Sequence, residues 1–236
     1  MNIAIVTLAT NERYLKGAYN LYKSYLKINS KYPFFCMVLN DTNLTNFKDL
    51  PIKIVPKITP KNKRLSYSPP EGMFNKICIW LLKDFDYVLF LDCDMILCEN
   101  IDNIILEIIK YKRNNFITLV EKPKNAHDAF STAWMLIKPD YEIFKNALKY
   151  LNISCTDQEM ITFLYDNNEI DICYDFSPNI FDHIFHFNNW QPNKKYWETE
   201  LGNTIYNILL ENPNLMNFFE QIQLLVSPQP YESDRK

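Results

Sequence analysis

The chain has 236 residues, a formal net charge of −3, an apolar fraction of 47% and an aromatic fraction of 15%. These values indicate a folded globular chain and exclude a disordered one. The weak negative charge, spread over interspersed acids and lysines, argues against nucleic acid or an anionic membrane as a partner. The apolar segment Ile3–Leu8 lacks the basic flank and the length of a signal peptide, and no window reaches the roughly 18 apolar residues of a membrane span. We therefore expect a cytoplasmic chain.

The usage of a few residue types adds further expectations. The richness in Asn, Lys and Ile is typical of an AT-rich coding sequence from a virus, a protist or a bacterium. If the source is a virus, the expected cytoplasm is that of the infected cell. Only three glycines are present, and we expect Asn and Asp to take the left-handed positions of turns. No Cys-x-x-Cys pair occurs, so we expect buried, reduced thiols at Cys36, Cys78, Cys93, Cys98, Cys155 and Cys173.

The hydrophobic pattern predicts strands that alternate with helices. In the first half it predicts strands at Ile3–Thr7, Phe34–Leu39, Ile52–Val55 and Tyr87–Leu91, helices at Leu15–Ile28 and Phe74–Leu82, a polar turn at Asn11–Tyr14 and a loop at Lys57–Gly72. In the second half it predicts strands at Phe116–Val120, Ala133–Ile137 and Ile170–Tyr174, and helices at Ile101–Lys110, Glu142–Leu151, Asp157–Tyr165 and Leu215–Leu225. This order is typical of an α/β domain with a mostly parallel central sheet and flanking helices. We expect one domain over residues 1–226 and a polar tail at residues 227–236.

Two aspartates follow the most apolar of the predicted strands. Asp92 and Asp94 stand directly after Val88–Leu91, where the strand would leave the sheet. Ligands of open α/β sheets bind at the carboxyl ends of the strands. Two adjacent carboxylates repel each other unless a cation neutralises them, and hard divalent cations prefer oxygen ligands. A metal–diphosphate site is our first hypothesis; a phosphatase of the haloacid-dehalogenase type and a solvated loop without chemistry are alternatives.

Three blocks extend this motif through most of residues 3–192. They are Thr7–Tyr14 with Lys16-Gly17-Ala18, then Lys76–Trp80 with Val88–Asp94 and Asn100-Ile101-Asp102, and finally Asp157-Gln158 with His186-Phe187. In order and spacing the blocks resemble the glycogenin-like retaining glycosyltransferases of family 8. The resemblance implies a GT-A fold, which is Rossmann-like, and transfer of a hexose, glucose first, from a UDP-sugar to a glycan or glycosylated acceptor. It also implies Mn²⁺ as the cofactor, with Mg²⁺ as the alternative, and a homodimer by analogy.

The resemblance implies a metal site at Asp92, Asp94 and His186. Two carboxylates and one imidazole suit Mn²⁺ better than Ca²⁺. His183, two residues earlier, is the alternative histidine.

The resemblance also implies a donor site. Leu8, Thr10, Asn11 and Tyr14 match a uridine-binding loop, in which Tyr14 could stack on the base. Lys76 matches a lysine near the diphosphate and the sugar, and Cys93 would offer its backbone to the ribose. The remaining donor-site positions depart from the family pattern: Ser131 and Thr132 stand in place of Asn-Ser, and Asn189 and Lys194, with Lys195 beside it, follow the histidine out of register. Arg64 is a weaker candidate for a role like that of Lys76.

Asp157, Gln158 and Lys76 are the implied catalytic residues. A carboxylate on the face opposite the leaving group can act as a nucleophile or stabilise an oxocarbenium-like state. Helix capping is the alternative role of Asp157. Self-glucosylation at Tyr174 is not expected, because the local match is poor. Besides the phosphatase, a non-catalytic UDP-sugar or glycan-binding module stays open because of the altered Ser131–Ala133 block.

Overall fold

The structure is a computed structural model that describes residues 1–60, 72–111, 115–118, 130–154, 156–173, 183–187 and 194–220. Within these ranges the strands are β1 (Ile3–Ala9), β2 (Phe34–Leu39), β3 (Ile52–Val55), β4 (Tyr87–Leu91), β5 (Met95–Leu97), β6 (Phe116–Thr118), β7 (Trp134–Ile137), β8 (Ile172–Cys173) and β9 (Ile184–His186). The α-helices are α1 (Glu12–Ile28), α2 (Asp102–Tyr111), α3 (Tyr141–Tyr150), α4 (Asp157–Asp166) and α5 (Glu200–Glu211). In this part of the chain, no helix combines the length and the apolar character needed to cross a bilayer. The expected tail at 227–236 lies outside the described residues.

Seven strands form one sheet in the order β3-β2-β1-β4-β7-β6-β8. Neighbours are parallel throughout β3-β2-β1-β4 and between β6 and β8, whereas β7 runs antiparallel to both β4 and β6. The predicted mostly parallel sheet is therefore confirmed. Because β1 and β4 are parallel neighbours, their carboxyl ends meet at one edge of the sheet.

Both faces of the sheet are covered. Ile3 and Ile5 of β1 pack on one side with α1, β5 and α5, while Ala4 and Val6 pack on the other side with α3 and α4. All seven residues of β1 are buried, which explains why its sequence is apolar except at Thr7 and does not alternate.

Helix α1 begins earlier than the sequence indicated. The segment Asn11–Tyr14 was predicted as a turn, but Asn11 is the N-cap and its side chain accepts hydrogen bonds from the N–H groups of Arg13 and Tyr14. An asparagine cap satisfies otherwise unpaired N–H groups of the first turn, so the helix starts at Glu12. At the other end Asn29 closes the helix with a left-handed backbone (φ 49°), and Asn168 does the same after α4 (φ 56°). The expectation that Asn replaces Gly in such turns is confirmed.

The predicted helix Phe74–Leu82 is a 3₁₀ helix, Met73–Leu81. Hydrophobic spacing over nine residues does not separate a period of 3.0 from one of 3.6. The segment is anchored to the loop after β3, since Asn75 donates to the carbonyl of Pro56 (2.5 Å) and accepts from the N–H of Ile58 (3.2 Å). A 3₁₀ run of this length is uncommon and is often found at functional positions. It carries Lys76.

Three elements were not predicted as such. β5 and β9 form a two-stranded antiparallel sheet in which Met95 lies opposite His186. Helix α5 lies in a region for which no element was predicted, although Thr199 caps it and Ile205 and Leu209 are buried at helical spacing. The predicted terminal helix is helical at 216–220, and its remainder lies outside the described residues. The five described cysteines are buried free thiols, as expected.

Candidate active site

A cavity of about 170 Å³ opens where β1 and β4 end at the same edge of the sheet. It is lined by Leu8, Thr10, Tyr14, Met73, Lys76, Asp92, Cys93, Asp94, Asp157 and Lys195. All of these except Met73 and Lys195 were predicted site residues. The cavity thus brings together residues from the first, second and third blocks of the sequence.

Two aspartates of the cavity and a histidine beside it have the composition of a metal site. Single ligand atoms of Asp92, Asp94 and His186 lie within 4.8 Å of one another. The β5–β9 ladder creates this proximity, because Met95, next to Asp94, pairs with His186. Asp94 Oδ1 lies 3.3 Å from His186 Nε2 but is buried without a hydrogen-bond donor among the described residues. A buried carboxylate oxygen without a donor is costly unless a cation binds it, so the trio fits a divalent metal ion.

The second oxygen of Asp94 has a different partner. Lys195 Nζ donates a hydrogen bond of 2.8 Å to Asp94 Oδ2. Although burial opposes ionisation, His186 and Lys195 hold the pKa of Asp94 below its usual range. The same contact raises the pKa of Lys195 against the effect of its own burial. Asp94 is therefore ionised, with one oxygen on a lysine and the other without a donor.

Lys76 forms ion pairs with both Asp92 and Asp157. Its Nζ lies 2.9 Å from Asp92 Oδ1 and 2.9 Å from Asp157 Oδ2. Thr132, itself buried, accepts from Lys76 and donates a hydrogen bond of 2.6 Å to Asp157 Oδ2. Burial opposes the charge of Lys76, but Asp157 and Asp92 outweigh it and raise the pKa of the ammonium. Burial also raises the pKa of Asp92, with Lys76 opposing and Asp94 adding to the effect.

Tyr14 lines one wall of the cavity, and Trp197 packs against it. Tyr14 packs edge-on against Trp197, with ring centroids 6.3 Å apart, and Lys195 Nζ lies 5.6 Å from the centre of the Tyr14 ring. Burial raises the pKa of Tyr14, although Lys195 opposes the shift. The indole sits directly on α1 at Gly17, where a Cβ would come within 2.4 Å of Trp197 and 2.8 Å of the carbonyl of Cys93. Gly17 is therefore required for close packing of this wall.

An ion pair holds the backbone of Lys195. Arg13 binds both carboxylate oxygens of Glu198, at 2.5 and 2.6 Å. Glu198 Oε2 also accepts from the N–H of Lys195 at 2.8 Å. The bond from Arg13 lowers the pKa of Glu198 to about 2. The sequence pattern assigned no role to Arg13, Glu198 or Trp197. The run Tyr196-Trp197-Glu198 follows the two lysines, but hydrophobic periodicity does not relate it to the first block.

Other predicted site residues lie beside the cavity rather than in it. Asn11 caps α1, and Ser131 accepts from the N–H of Ala133 at 3.4 Å. Gln158 is half-buried in the first turn of α4, and Lys194 is exposed beside Lys195. Asn189, Arg64 and Tyr174, which were also considered from the sequence, lie outside the described residues.

The structure decides two alternatives that the sequence left open, His183 as a metal ligand and Asp157 as a helix cap. His183 does not join the two aspartates of the cavity; its Nδ1 lies 2.7 Å from Glu99 Oε2 at the far end of the β5–β9 ladder. Thr156 is the N-cap of α4, since its hydroxyl accepts from the N–H of Glu159 at 3.0 Å. The carboxylate of Asp157 is therefore not the helix cap and points its Oδ2 to Lys76 and Thr132.

Comparisons with known proteins place the chain near glycosyltransferases. No protein-family model matches it. It is 27% identical over 108 residues to galactinol synthase 1 of Ajuga reptans, and 28% identical over 104 residues to UDP-glucuronate:xylan alpha-glucuronosyltransferase 2 of Arabidopsis thaliana. These matches cover 43% and 42% of this chain but only 32% and 17% of the two plant proteins.

Solved structures resemble the chain over more of its length. The galactosyltransferase LgtC, solved with donor and acceptor sugar analogues, has a TM-score of 0.59 and 14% identity, covering 88% of this chain and 95% of LgtC. The glycosyltransferase GlyE of Streptococcus pneumoniae TIGR4 has a TM-score of 0.57 and 16% identity, covering 94% of this chain and 64% of GlyE. At such identities the likeness concerns the fold, and the chain has the fold of the GT-A glycosyltransferases.

Proposed function

We propose that this chain is a metal-dependent, retaining glycosyltransferase that moves a hexose, glucose in the first instance, from a UDP-sugar to a glycan or glycosylated acceptor. The observation that carries the proposal is that Asp92, Asp94, Lys76 and Asp157 line one cavity, while His186 lies close enough to the first two to complete a metal site. The two aspartates and the histidine suit a cation and a diphosphate, and the Lys76–Asp157 pair suits a reacting sugar beside them. The GT-A fold supports the same assignment.

Asp92, Asp94 and His186 would hold the cation. The imidazole favours Mn²⁺, with Mg²⁺ as the alternative. When bound, such a cation neutralises the charge that develops on the diphosphate leaving group.

The donor nucleotide would lie along the end of β1. Tyr14 offers an aromatic surface for the uracil, and Leu8 and Thr10 line the same part of the cavity. Lys195, rather than the exposed Lys194, is the lysine whose ammonium reaches the cavity and can bind a diphosphate. Cys93 lies between the two aspartates and would meet the ribose with its backbone.

Asp157 would act on the sugar. In transfer with retention, the bond from C1 to the diphosphate breaks and the bond from C1 to the acceptor hydroxyl forms on the same face. A carboxylate on the opposite face can stabilise the positive charge at C1 or form a transient bond to it. Lys76 and Thr132 hold Asp157 Oδ2, which fixes the orientation of the carboxylate. This intact polar link favours a catalytic chain over a non-catalytic binding module.

The test is to incubate the protein with Mn²⁺ and UDP-glucose, UDP-galactose or UDP-glucuronate, and to follow the anomeric proton by NMR. Slow release of the α-anomer, or transfer to an added glycan with α-configuration, is expected for one donor. Release of the β-anomer would contradict retention. Phosphate release from phosphate monoesters without any UDP binding would instead favour the phosphatase, and UDP-sugar binding without turnover would favour the binding module.

A further inference from the structure

The cavity already contains most of the positive charge that its carboxylates need. In formal charges, Asp92, Asp94 and Asp157 contribute three negative charges and Lys76 and Lys195 two positive ones. The sum is −1 when His186 is neutral, which is the form in which an imidazole binds a metal ion. A site with so small a net charge attracts a divalent cation less strongly than a site of carboxylates alone would. A cation that enters alone meets two ammonium groups as well as the carboxylates.

We propose that Lys195 couples the binding of the divalent cation to the binding of the nucleotide diphosphate, because it shares Asp94 with the cation and moves to the diphosphate when the nucleotide arrives. This inference rests on the proposed function and adds to it a device that makes cation and nucleotide bind as a pair.

Lys195 and the cation would bind the two oxygens of the same carboxylate, Asp94. Lys195 Nζ binds Asp94 Oδ2 at 2.8 Å, and Asp94 Oδ1 is the oxygen without a donor that faces His186. A cation on Oδ1 and an ammonium on Oδ2 are like charges on the two oxygens of one carboxylate. Their repulsion weakens the binding of a cation that arrives alone.

The side chain of Lys195 is held less firmly than that of Lys76. Its backbone is fixed by the bond to Glu198, but among the described residues its ammonium has Asp94 as its one ion-pair partner and otherwise faces the rings of Tyr14 and Trp197. Lys76 differs, because it binds two carboxylates and Thr132 and its side chain is only 14% exposed, against 32% for Lys195. Lys195 is thus the lysine that can turn about a fixed backbone, while Lys76 stays in place.

The charges of the cation and of the nucleotide compensate each other in the cavity. From a net charge of −1, a divalent cation alone brings the cavity to +1. In a nucleotide-sugar both phosphates are substituted on two sides and carry about one negative charge each, as in a nucleic-acid backbone, so this ligand alone would bring the cavity to about −3. Both together restore about −1, so each ligand removes the electrostatic cost of the other. Such coupling is a reciprocal free energy between two sites and typically amounts to a factor of about 5–150 in affinity.

The experiment measures Mn²⁺ binding by electron paramagnetic resonance of the free ion, with and without UDP, in three proteins. These are the wild type, Lys195→Met and Lys194→Met, the last being the same change at the adjacent exposed lysine. In the wild type we expect UDP to tighten Mn²⁺ binding about tenfold or more. In Lys195→Met we expect Mn²⁺ alone to bind about tenfold more tightly than in the wild type, and UDP to add less than about threefold. Lys194→Met should behave like the wild type.

The outcomes separate this inference from the proposed function. If the wild type binds Mn²⁺ and UDP but Lys195→Met shows the same coupling, Lys195 is not the coupling residue. If Lys194→Met alone loses the coupling, the role belongs to the neighbouring lysine and the inference is wrong. If none of the three proteins binds Mn²⁺ in the presence or absence of UDP, the proposed function fails and the inference fails with it.

Discussion

The ammonium of Lys76 lies 2.9 Å from the carboxylate of Asp157, although the two residues belong to a 3₁₀ helix and an α-helix on separate parts of the chain. The same ammonium lies 2.9 Å from Asp92. One buried lysine therefore joins the carboxylate proposed for the metal to the carboxylate proposed for the sugar. A change in either partner is expected to affect both stability and turnover.

Lys76→Met should lower the free energy of unfolding by about 3 kcal/mol, because it leaves two largely buried carboxylates without their cation. Urea denaturation measures the change. Lys48→Met, at an exposed lysine outside the site, is the control and should stay within about 0.5 kcal/mol of the wild type. Equal stability of the two variants would mean that the buried ion pairs contribute little.

Asp157→Asn should retain Mn²⁺-dependent UDP binding and lose most of the turnover of the UDP-sugar, since the amide carries no negative charge to stabilise C1. Thr156→Ala is the matched change one residue earlier. It removes the cap of α4 and should cost about 1 kcal/mol of stability while turnover is retained. Isothermal titration with UDP and a turnover assay distinguish the two. If Asp157→Asn turns over normally, Asp157 has only a structural role.

Gly17→Ala should destabilise the chain, although alanine is the better helix former by about 1 kcal/mol. The new Cβ would lie 2.4 Å from Trp197 and 2.8 Å from the carbonyl of Cys93, so either the aromatic wall or the loop with the aspartates must move. Overpacking of this kind costs about 1–3 kcal/mol. Thermal unfolding should show a lower midpoint, and UDP affinity should fall with it. A higher midpoint would show that Trp197 does not pack on α1 at this position.

Glu198→Gln should change the pH dependence of stability. Arg13 lowers the pKa of Glu198 from 4.5 to about 2, so the ion pair stabilises the chain above pH 4.5 and this contribution is lost as the pH falls towards 2. The pair is partly exposed, and its worth is about 1 kcal/mol or less. The difference in unfolding free energy between wild type and Glu198→Gln should therefore shrink as the pH falls from 4.5 to about 2. A difference that is constant with pH would assign the stabilisation to packing rather than to charge.

The sequence predicted the parts of the site that local patterns determine. An apolar strand that ends in Asp92 and Asp94 indicates both a buried parallel strand and a polar edge, and the structure has both. The family resemblance implied that His186 joins these two residues, and the β5–β9 ladder supplies the physical reason for their proximity.

The sequence did not predict the parts that depend on contacts between distant segments. After His186 the block pattern loses its register, so the pattern favoured Lys194, whereas Lys195 is the lysine whose ammonium enters the cavity. The sequence left the role of Asp157 open between helix cap and site carboxylate, and the contacts of Thr156 with the helix and of Asp157 with Lys76 decide it. The 3₁₀ form of Met73–Leu81 likewise depends on the anchoring of Asn75 to the loop after β3.

The most direct test of the account is a thermal-shift measurement with UDP and Mn²⁺, separately and together, on the wild type, Asp94→Ala and Glu99→Ala. Glu99→Ala removes the acid of the other acid–histidine pair on the β5–β9 ladder and is the control. The wild type and Glu99→Ala should be stabilised by the two ligands together, by about 2.7 kcal/mol at a hundredfold excess over the dissociation constant. Asp94→Ala, which lacks the buried oxygen proposed for the cation, should show no shift. An equal shift in Asp94→Ala, or no shift in the wild type, would contradict the metal–nucleotide site.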